Sequence, residues 1–243
     1  MRRRFFVDQV RNGRAEISGD DAQHLTRVLR VEAGAKYEIS DNRNVYLAEV
    51  ETARKSVVIF QTLSKIESVA SPVHVTLCAA IFKFDHFEWM IEKATELGVA
   101  RIVPVMATRT ERGLDKAAQK RIERWRRIGV EASQQSRRAH LPEIDEAAPW
   151  KDALAIAADQ RYALDEDPAA KPFLNALPQT KTSADRVAIL VGPEGGWTEE
   201  ERSEFAQAGW TPVSLGPSIL RAETAGIAGI AVINAAWLQN RQP

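Results

Sequence analysis

The chain has 243 residues, 44% of them apolar, enough for one large domain or two small ones with a buried core. Its 33 basic residues balance 33 acidic ones, which excludes a polycation that holds nucleic acid through overall charge and leaves only local patches for that purpose. No stretch approaches 18 uninterrupted apolar residues, and the opening MRRRFFVDQVRNGR has no apolar segment behind its arginines, so neither a membrane span nor a signal peptide is expected, and a cytoplasmic location follows.

The first part of the chain reads as short β-segments at 5–7, 15–18, 36–40, 45–50 and 56–60, the fourth of them following the turn Asp41-Asn42-Arg43-Asn44. One helix interrupts them, with Asp20 as N-cap, Gln23 three residues on, and Leu25, Val28 and Leu29 as its apolar stripe before Gly34. The pattern predicts a small β-barrel carrying one helix over residues 1–70, and the texture changes across Glu67 to Pro72.

From residue 71 to 243 strands and helices alternate, as in an α/β domain. The apolar run 73–82 reads as a strand buried on both faces. Within it Cys78, the single cysteine, is expected to be a buried small side chain rather than a reactive thiol. A helix follows with Phe87, Met90, Ile91, Ala94 and Leu97 on one side and Gly98 as its stop. Then come a strand at 101–106, a long helix at 115–138, and strands at 160–164 and 186–191.

The last of these strands runs into LVGPEGGWTEEE, residues 190–201. Thr198 and Glu201 form a capping box for a helix that ends before Gly209, so Gly192 to Gly196 make a strand-to-helix turn. Turns at the carboxyl ends of sheet strands are where α/β proteins bind ligands, because glycine permits unusual backbone angles and close approach. A purely structural turn is the other reading. Phosphate is disfavoured: neither G-x-x-x-x-G-K-[ST] nor G-x-G-x-x-G is present, and Glu194 stands at the centre of the turn. A strand at 212–215, the loop Gly216 to Arg221 and a helix from Ala222 follow. That helix is apolar on nearly every side, which places it in the core or against another subunit, and Gly226 and Gly229 would be costly unless something packs closely on them.

Gly192-Pro193-Glu194-Gly195-Gly196 and Leu215-Gly216-Pro217-Ser218-Ile219-Leu220-Arg221-Ala222-Glu223-Thr224-Ala225 together resemble the RsmE family of 16S ribosomal RNA uridine-N3 methyltransferases, of the SPOUT class. Further segments carry the same resemblance: Lys93-Ala94-Thr95-Glu96-Leu97-Gly98, Glu131 to Arg138 (EASQQSRR), Arg4-Phe5-Phe6, and His24-Leu25 with Val28-Leu29-Arg30. The resemblance implies a PUA-like β-barrel that binds RNA, a trefoil-knotted α/β SPOUT methyltransferase domain, S-adenosylmethionine as cofactor, and a homodimer formed through the C-terminal domain. One position departs: the family often has a basic residue where this chain has Ser218.

The resemblance further implies that Leu190, Val191, Gly192, Pro193, Gly195, Gly196, Leu215, Gly216, Ile219, Leu220, Arg221, Thr224 and Ala225 hold the cofactor. A uridine N3 must lose its proton, so Arg221 is expected as the cation that stabilises the uridine anion and Glu194 or Glu223 as the base. An Arg221–Glu223 ion pair within the loop, with Glu194 as a turn acceptor, is the other reading. RNA phosphates are assigned to Arg2, Arg3, Arg4, Arg30, Arg121, Arg124, Arg127, Arg137 and Arg138, against solvated charge clusters as the plainer reading. No metal is expected, since His86 and Glu88 lack a further ligand at metal-site spacing, and His24 is expected to serve the barrel's structure. Two other functions are kept beside this one: methylation of a ribose hydroxyl or a transfer RNA by the same fold, and RNA binding without catalysis.

Overall fold

Alternating apolar and polar residues in the N-terminal part form five strands: β1 (Arg4–Phe6), β2 (Arg14–Ser18), β3 (Lys36–Ser40), β4 (Val45–Arg54) and β5 (Val57–Ile66). The computed structural model describes residues 3–69, 71–111, 113–167 and 169–239. The chain divides into two units, Met1–Ala70 with Ser133–Leu141, and Ser71–Ala132 with Pro142–Pro243.

In the first unit the strands lie in the order β1-β3-β4-β5-β2. β1 runs parallel to β3 and the other pairs are antiparallel. Two register shifts along β4 and β5 bend the sheet, whose inner face buries Phe5, Ala15, Ile39, Ala48, Val50, Val58 and Phe60. Helix α1 (Gly19–Arg27) closes that core with Ala22 and Leu25. Its N-cap is Ser18 rather than Asp20; Asp20 and Asp21 sit in the first turn, where carboxylates oppose the helix dipole favourably. The helix ends one residue before Val28, whose side chain is 64% exposed instead of completing the expected stripe.

Residues 133–141, far along the chain, are fastened into this unit. Ser40 Oγ donates to the Ala139 carbonyl at 2.6 Å, and Leu141 N donates to Asn42 Oδ1 at 2.7 Å. The Arg4 guanidinium binds Glu38 at 2.8 Å and the Arg137 carbonyl, and Arg137 pairs with the other Glu38 oxygen.

The second unit is a parallel sheet with helices. Its elements are β6 (His74–Ala80), α2 (Phe84–Glu96), β7 (Arg101–Met106), α3 (Leu114–Gln119), α4 (Ile122–Gln135), β8 (Glu143–Ile144), β9 (Ala148–Pro149), α5 (Trp150–Leu154), β10 (Gln160–Leu164), β11 (Lys171–Pro172), α6 (Phe173–Ala176), β12 (Arg186–Val191), α7 (Glu199–Gln207), β13 (Thr211–Ser214) and α8 (Ala222–Leu238). The strand order is β11-β13-β10-β12-β6-β7-β8, with β9 also on β7. β6 and β12 are buried along nearly their whole length, as their apolar runs require. Cys78, on β6, is fully buried, and burial pushes its thiol up to about 12. Pro104 is accommodated in β7 because the partner on that edge changes there: β8 pairs Arg101 and Ile102, and β9 pairs Val105 and Met106.

The single helix expected over 115–138 is two, broken at Lys120 and Arg121. No glycine or proline marks the break; Arg121 instead bonds Glu88 at 2.8 Å and lies 4.4 Å over the Phe84 ring. α8 packs on α2, β12 and β6. Its glycines explain the approach: a Cβ on Gly229 would stand 2.3 Å from Ile189 Cδ1, and one on Gly226 3.1 Å from Met90 Sδ. Trp237 near its end donates to Asp185 at 2.9 Å. Thr224, Ala231, Ala235 and Leu238 form an exposed side of the same helix, so a largely apolar sequence still leaves one side to the surface. No helix among the described residues is long and apolar enough to cross a membrane.

Candidate active site

Three parallel strands, β10, β12 and β13, end on one side of the second unit, and the loops that leave them enclose a cavity of about 590 Å³. Its walls are Leu164 to Glu166 after β10, the turn from Val191 to Trp197 after β12, and the loop from Ser214 to Arg221 after β13. Lys83 and His86 close it from the start of α2, and Ala222 and Ala225 from the start of α8. A crevice beyond the carboxyl ends of parallel strands is the expected ligand position in this architecture.

The glycine turn is fixed from behind. Gly196 has φ +68°, a left-handed conformation that favours glycine, and a Cβ there would stand 2.7 Å from Oε1 of the exposed Glu166, which would have to turn aside. The Trp197 ring lies against Gly192 and donates Nε1–H to the Leu164 carbonyl at 2.8 Å, joining the β12 turn to the end of β10. Arg109 donates to the Gly195 carbonyl at 2.6 Å. The expected capping box is present: Thr198 accepts from Glu201 N at 3.1 Å, and the Glu201 carboxylate, 2% exposed, accepts from Thr198 N and Thr108 N. A turn held in this way presents its backbone groups without further ordering.

The second loop is more open. Residues 216–221 are all exposed, and Ile219 is 80% exposed, so apolar side chains stand at the mouth with nothing packed on them. Charge around the cavity is mixed. Asp165 is held by Arg202 at 3.0 Å, and that hydrogen bond raises the guanidinium's proton affinity further. Glu166 and Glu194 are exposed carboxylates, while Lys83 and Arg221 are exposed cations.

Of the residues expected to hold the cofactor, Val191, Gly192, Pro193, Gly196, Leu215, Gly216, Ile219, Leu220, Arg221 and Ala225 line the cavity together. Leu190 is buried behind it, Gly195 faces Arg109, and Thr224 lies on the exposed side of α8. Arg221 and Glu194, expected in catalysis, both line the cavity. Glu223 does not; it is 4% exposed and its Oε1 lies 2.8 Å from His86 Nδ1, so the alternative Arg221–Glu223 pair is replaced by a His86–Glu223 pair. Lys83, His86, Asp165, Glu166 and Trp197 are cavity residues that the sequence motifs did not single out. Lys83 and His86 reach it from the start of α2 and Asp165 and Glu166 from the end of β10, segments without a motif of their own, while Trp197 lies within the glycine-turn segment.

The arginines expected on RNA divide. Arg3 and Arg30 are exposed, but Arg4 is 7% exposed and Arg137 shares its Glu38 partner. Burial lowers the Arg138 guanidinium to about 10. Arg121 and Arg124 both bind Glu88, and Arg127 pairs with Glu131 at 3.1 Å. Arg2 lies outside the described residues.

A parallel α/β sheet with a preorganised glycine turn and a cavity at its strand ends, joined to a small mixed-sheet unit, defines an α/β protein with a small-molecule cavity and an appended domain. Comparison with known proteins narrows the class. A family model described as an RNA methyltransferase domain matches residues 69–234, and one described as an RNA methyltransferase PUA domain matches residues 17–61. The ribosomal RNA small subunit methyltransferase E of Synechocystis is 34% identical over 94% of this chain and 75% of its own length; that of Bacillus subtilis is 27% identical over 95% of each. The crystal structure of a ribosomal RNA small subunit methyltransferase E from Neisseria gonorrhoeae bound to S-adenosyl methionine superposes with a TM-score of 0.88 at 28% identity, covering 98% of both chains. A Legionella pneumophila methyltransferase with SAM bound gives a TM-score of 0.88 at 28% identity over 97% of this chain and 98% of that one. The chain belongs to the RNA methyltransferase family, in its RsmE branch, and has the SPOUT-class α/β fold preceded by a PUA-like domain.

Proposed function

We propose that this protein transfers a methyl group from S-adenosylmethionine to N3 of a uridine in 16S ribosomal RNA. The observation that carries this reading is the cavity itself, formed by the two glycine-containing loops in a chain whose relatives bear the name of a small-subunit ribosomal RNA methyltransferase. The residues present fit the cofactor: about 590 Å³ lies within the range of small-molecule sites, Leu164, Val191, Leu215 and Ala225 supply apolar walls, and Gly192 and Gly196 let the backbone approach closely. Bound there, S-adenosylmethionine supplies an electrophilic methyl on a sulfonium sulfur.

The chain's own contribution is position and charge. The turn at 192–196 and the loop at 215–221 orient the donor against the incoming base, and orientation of this kind accounts for much of the rate of a displacement reaction. Arg221, exposed at the cavity's mouth, stabilises the uridine anion as N3 loses its proton. Arg3 and Arg30 hold RNA phosphates from the PUA-like unit. The exposed side of α8 joins two copies in a homodimer, since small side chains there permit close helix packing.

The test is to compare modified nucleosides in ribosomal RNA with and without the gene and then map the missing methyl. Loss of one methyluridine from 16S RNA, restored by the purified protein with S-adenosylmethionine, is expected. An unchanged nucleoside profile, or loss of a ribose methyl or of a transfer RNA methyl, would refute it. A Glu194→Gln variant is expected to bind the cofactor normally and keep at least half the rate, because Glu194 is an exposed carboxylate on the turn.

A further inference from the structure

His86 is one of four histidines in the chain, and the only one that lines the cavity. It stands in the first turn of α2, half-buried, with Nδ1 2.8 Å from Oε1 of Glu223 in the first turn of α8. Glu223 is 4% exposed. An ionised carboxylate can only accept, so Nδ1 carries a proton in this contact, and in the neutral ring the lone pair then lies on Nε2. Asp85, outside the cavity lining, has an exposed carboxylate 3.8 Å from Nε2, and the cations Lys83 and Arg221 line the same cavity as His86. Glu194, Asp165 and Glu166 line the cavity's other walls.

A buried carboxylate that orients the imidazole of a cavity-lining histidine is the arrangement of a general base and its positioning group. Resting on the reading of the protein as a uridine-N3 methyltransferase, we propose that His86 accepts the N3 proton and that Glu223 positions it. The N3–H bond breaks towards His86 Nε2, and the N3 electron pair forms the bond to the methyl carbon. The carbon–sulfur pair stays with sulfur, so a sulfonium and a uridine become a thioether, a methyluridine and a proton on His86. Glu223 stabilises the imidazolium formed and Arg221 the uridine anion it leaves, which gives each of the three groups a separate task. Lys83, beside His86, favours the anion as well.

The proposal differs from a direct role of Glu223, whose carboxylate is withdrawn from the cavity behind the imidazole. It also explains a cost: a carboxylate this buried needs a partner, and His86 is the partner it has.

Two measurements on the full-length protein test it. The first is ring ¹⁵N NMR of the wild type without substrate, where the small number of histidines makes assignment direct. His86 is expected as the Nδ1–H tautomer, with Glu223→Gln giving a mixture; an Nε2–H ring in the wild type would overturn the proposal whatever the activity. The second is single-turnover methylation of 16S RNA in the small subunit with saturating S-adenosylmethionine. For His86→Gln the rate constant is expected to fall about 10² to 10⁴-fold, with cofactor and RNA affinities unchanged and one ionisation limb lost from the pH–rate profile. Glu223→Gln is expected to fall about tenfold or more while keeping that limb, displaced. If His86→Gln keeps the wild-type rate and profile, or loses only RNA affinity, His86 is not the base. If the wild type itself methylates no uridine, the functional reading fails, while the tautomer still decides whether the His86–Glu223 arrangement exists.

Discussion

The α/β unit gathers the residues marked for its cofactor, whereas several arginines marked for RNA, in both units, are drawn onto carboxylates such as Glu38 and Glu88. In the α/β unit the residues marked by sequence motifs converge: Val191 to Gly196 and Leu215 to Arg221, separated in the chain, share one cavity. In the PUA-like unit the charged residues marked as RNA contacts scatter, and two of them, Arg4 and Arg137, turn inward onto Glu38. The difference lies in what each motif encodes. A glycine turn after a buried strand specifies backbone geometry, which the local chain largely determines. An arginine specifies only charge, and whether it meets solvent or a carboxylate depends on residues such as Glu38, 34 positions away from Arg4.

Removing Glu38 should therefore cost more than removing any surface arginine. Glu38→Ala leaves Arg4, 7% exposed, and Arg137 without their carboxylate. Stripping one partner from a buried ion pair costs about 3–5 kcal/mol. Urea unfolding followed by a probe in the PUA-like unit should show that loss, while cofactor binding in the α/β unit persists. A loss under 1 kcal/mol would mean that these arginines are free to leave Glu38 and that the contrast is false.

The second comparison concerns α8, where the sequence stated a need without its answer. An apolar helix with two interior glycines requires a close partner, and strands were readable to the residue at Arg186–Val191 and Arg101–Met106 and approximately at Gln160–Leu164. The order of those strands was not readable, because β12 lies between β10 and β6 only through crossovers. The partner of Gly229 is thus Ile189 on β12, with Leu164 on β10 beside it. The same reason hid His86, whose contact with Glu223 joins residues 137 positions apart. It also hid the break between α3 and α4, where Arg121 reaches Glu88 on another helix.

Gly229→Ala puts this to the test. Alanine gains about 1 kcal/mol of helix propensity, but its Cβ would stand 2.3 Å from Ile189 Cδ1, a side chain with no exposed surface to move into. Overpacking of this kind costs about 1–3 kcal/mol, so a net destabilisation of up to about 2 kcal/mol is expected by thermal unfolding. Ile189→Val removes the colliding methyl. The double variant should therefore be more stable than the sum of the two single changes predicts, by at least about 0.5 kcal/mol. Strict additivity would show that Gly229 is not held by β12.

The smallest effect lies on the PUA-like surface, where Arg3 and Arg30 are exposed. Each phosphate neutralised by a basic side chain contributes about 0.7 to 0.9 to the slope of log affinity against log salt. Arg3→Ala and Arg30→Ala should each lower that slope by about this amount for 16S RNA and leave the unfolding midpoint unchanged, since surface substitutions of this kind stay within about 0.5 kcal/mol. Arg4 supplies the contrasting control. Its guanidinium already has Glu38 and the Arg137 carbonyl as partners, so Arg4→Ala should lower the unfolding midpoint and leave the salt slope of the still-folded protein as it was. If instead Arg4→Ala lowers the slope as Arg3→Ala does, the Arg4–Glu38 pair opens to admit RNA, and the inward-facing charges of this unit belong to its binding surface after all.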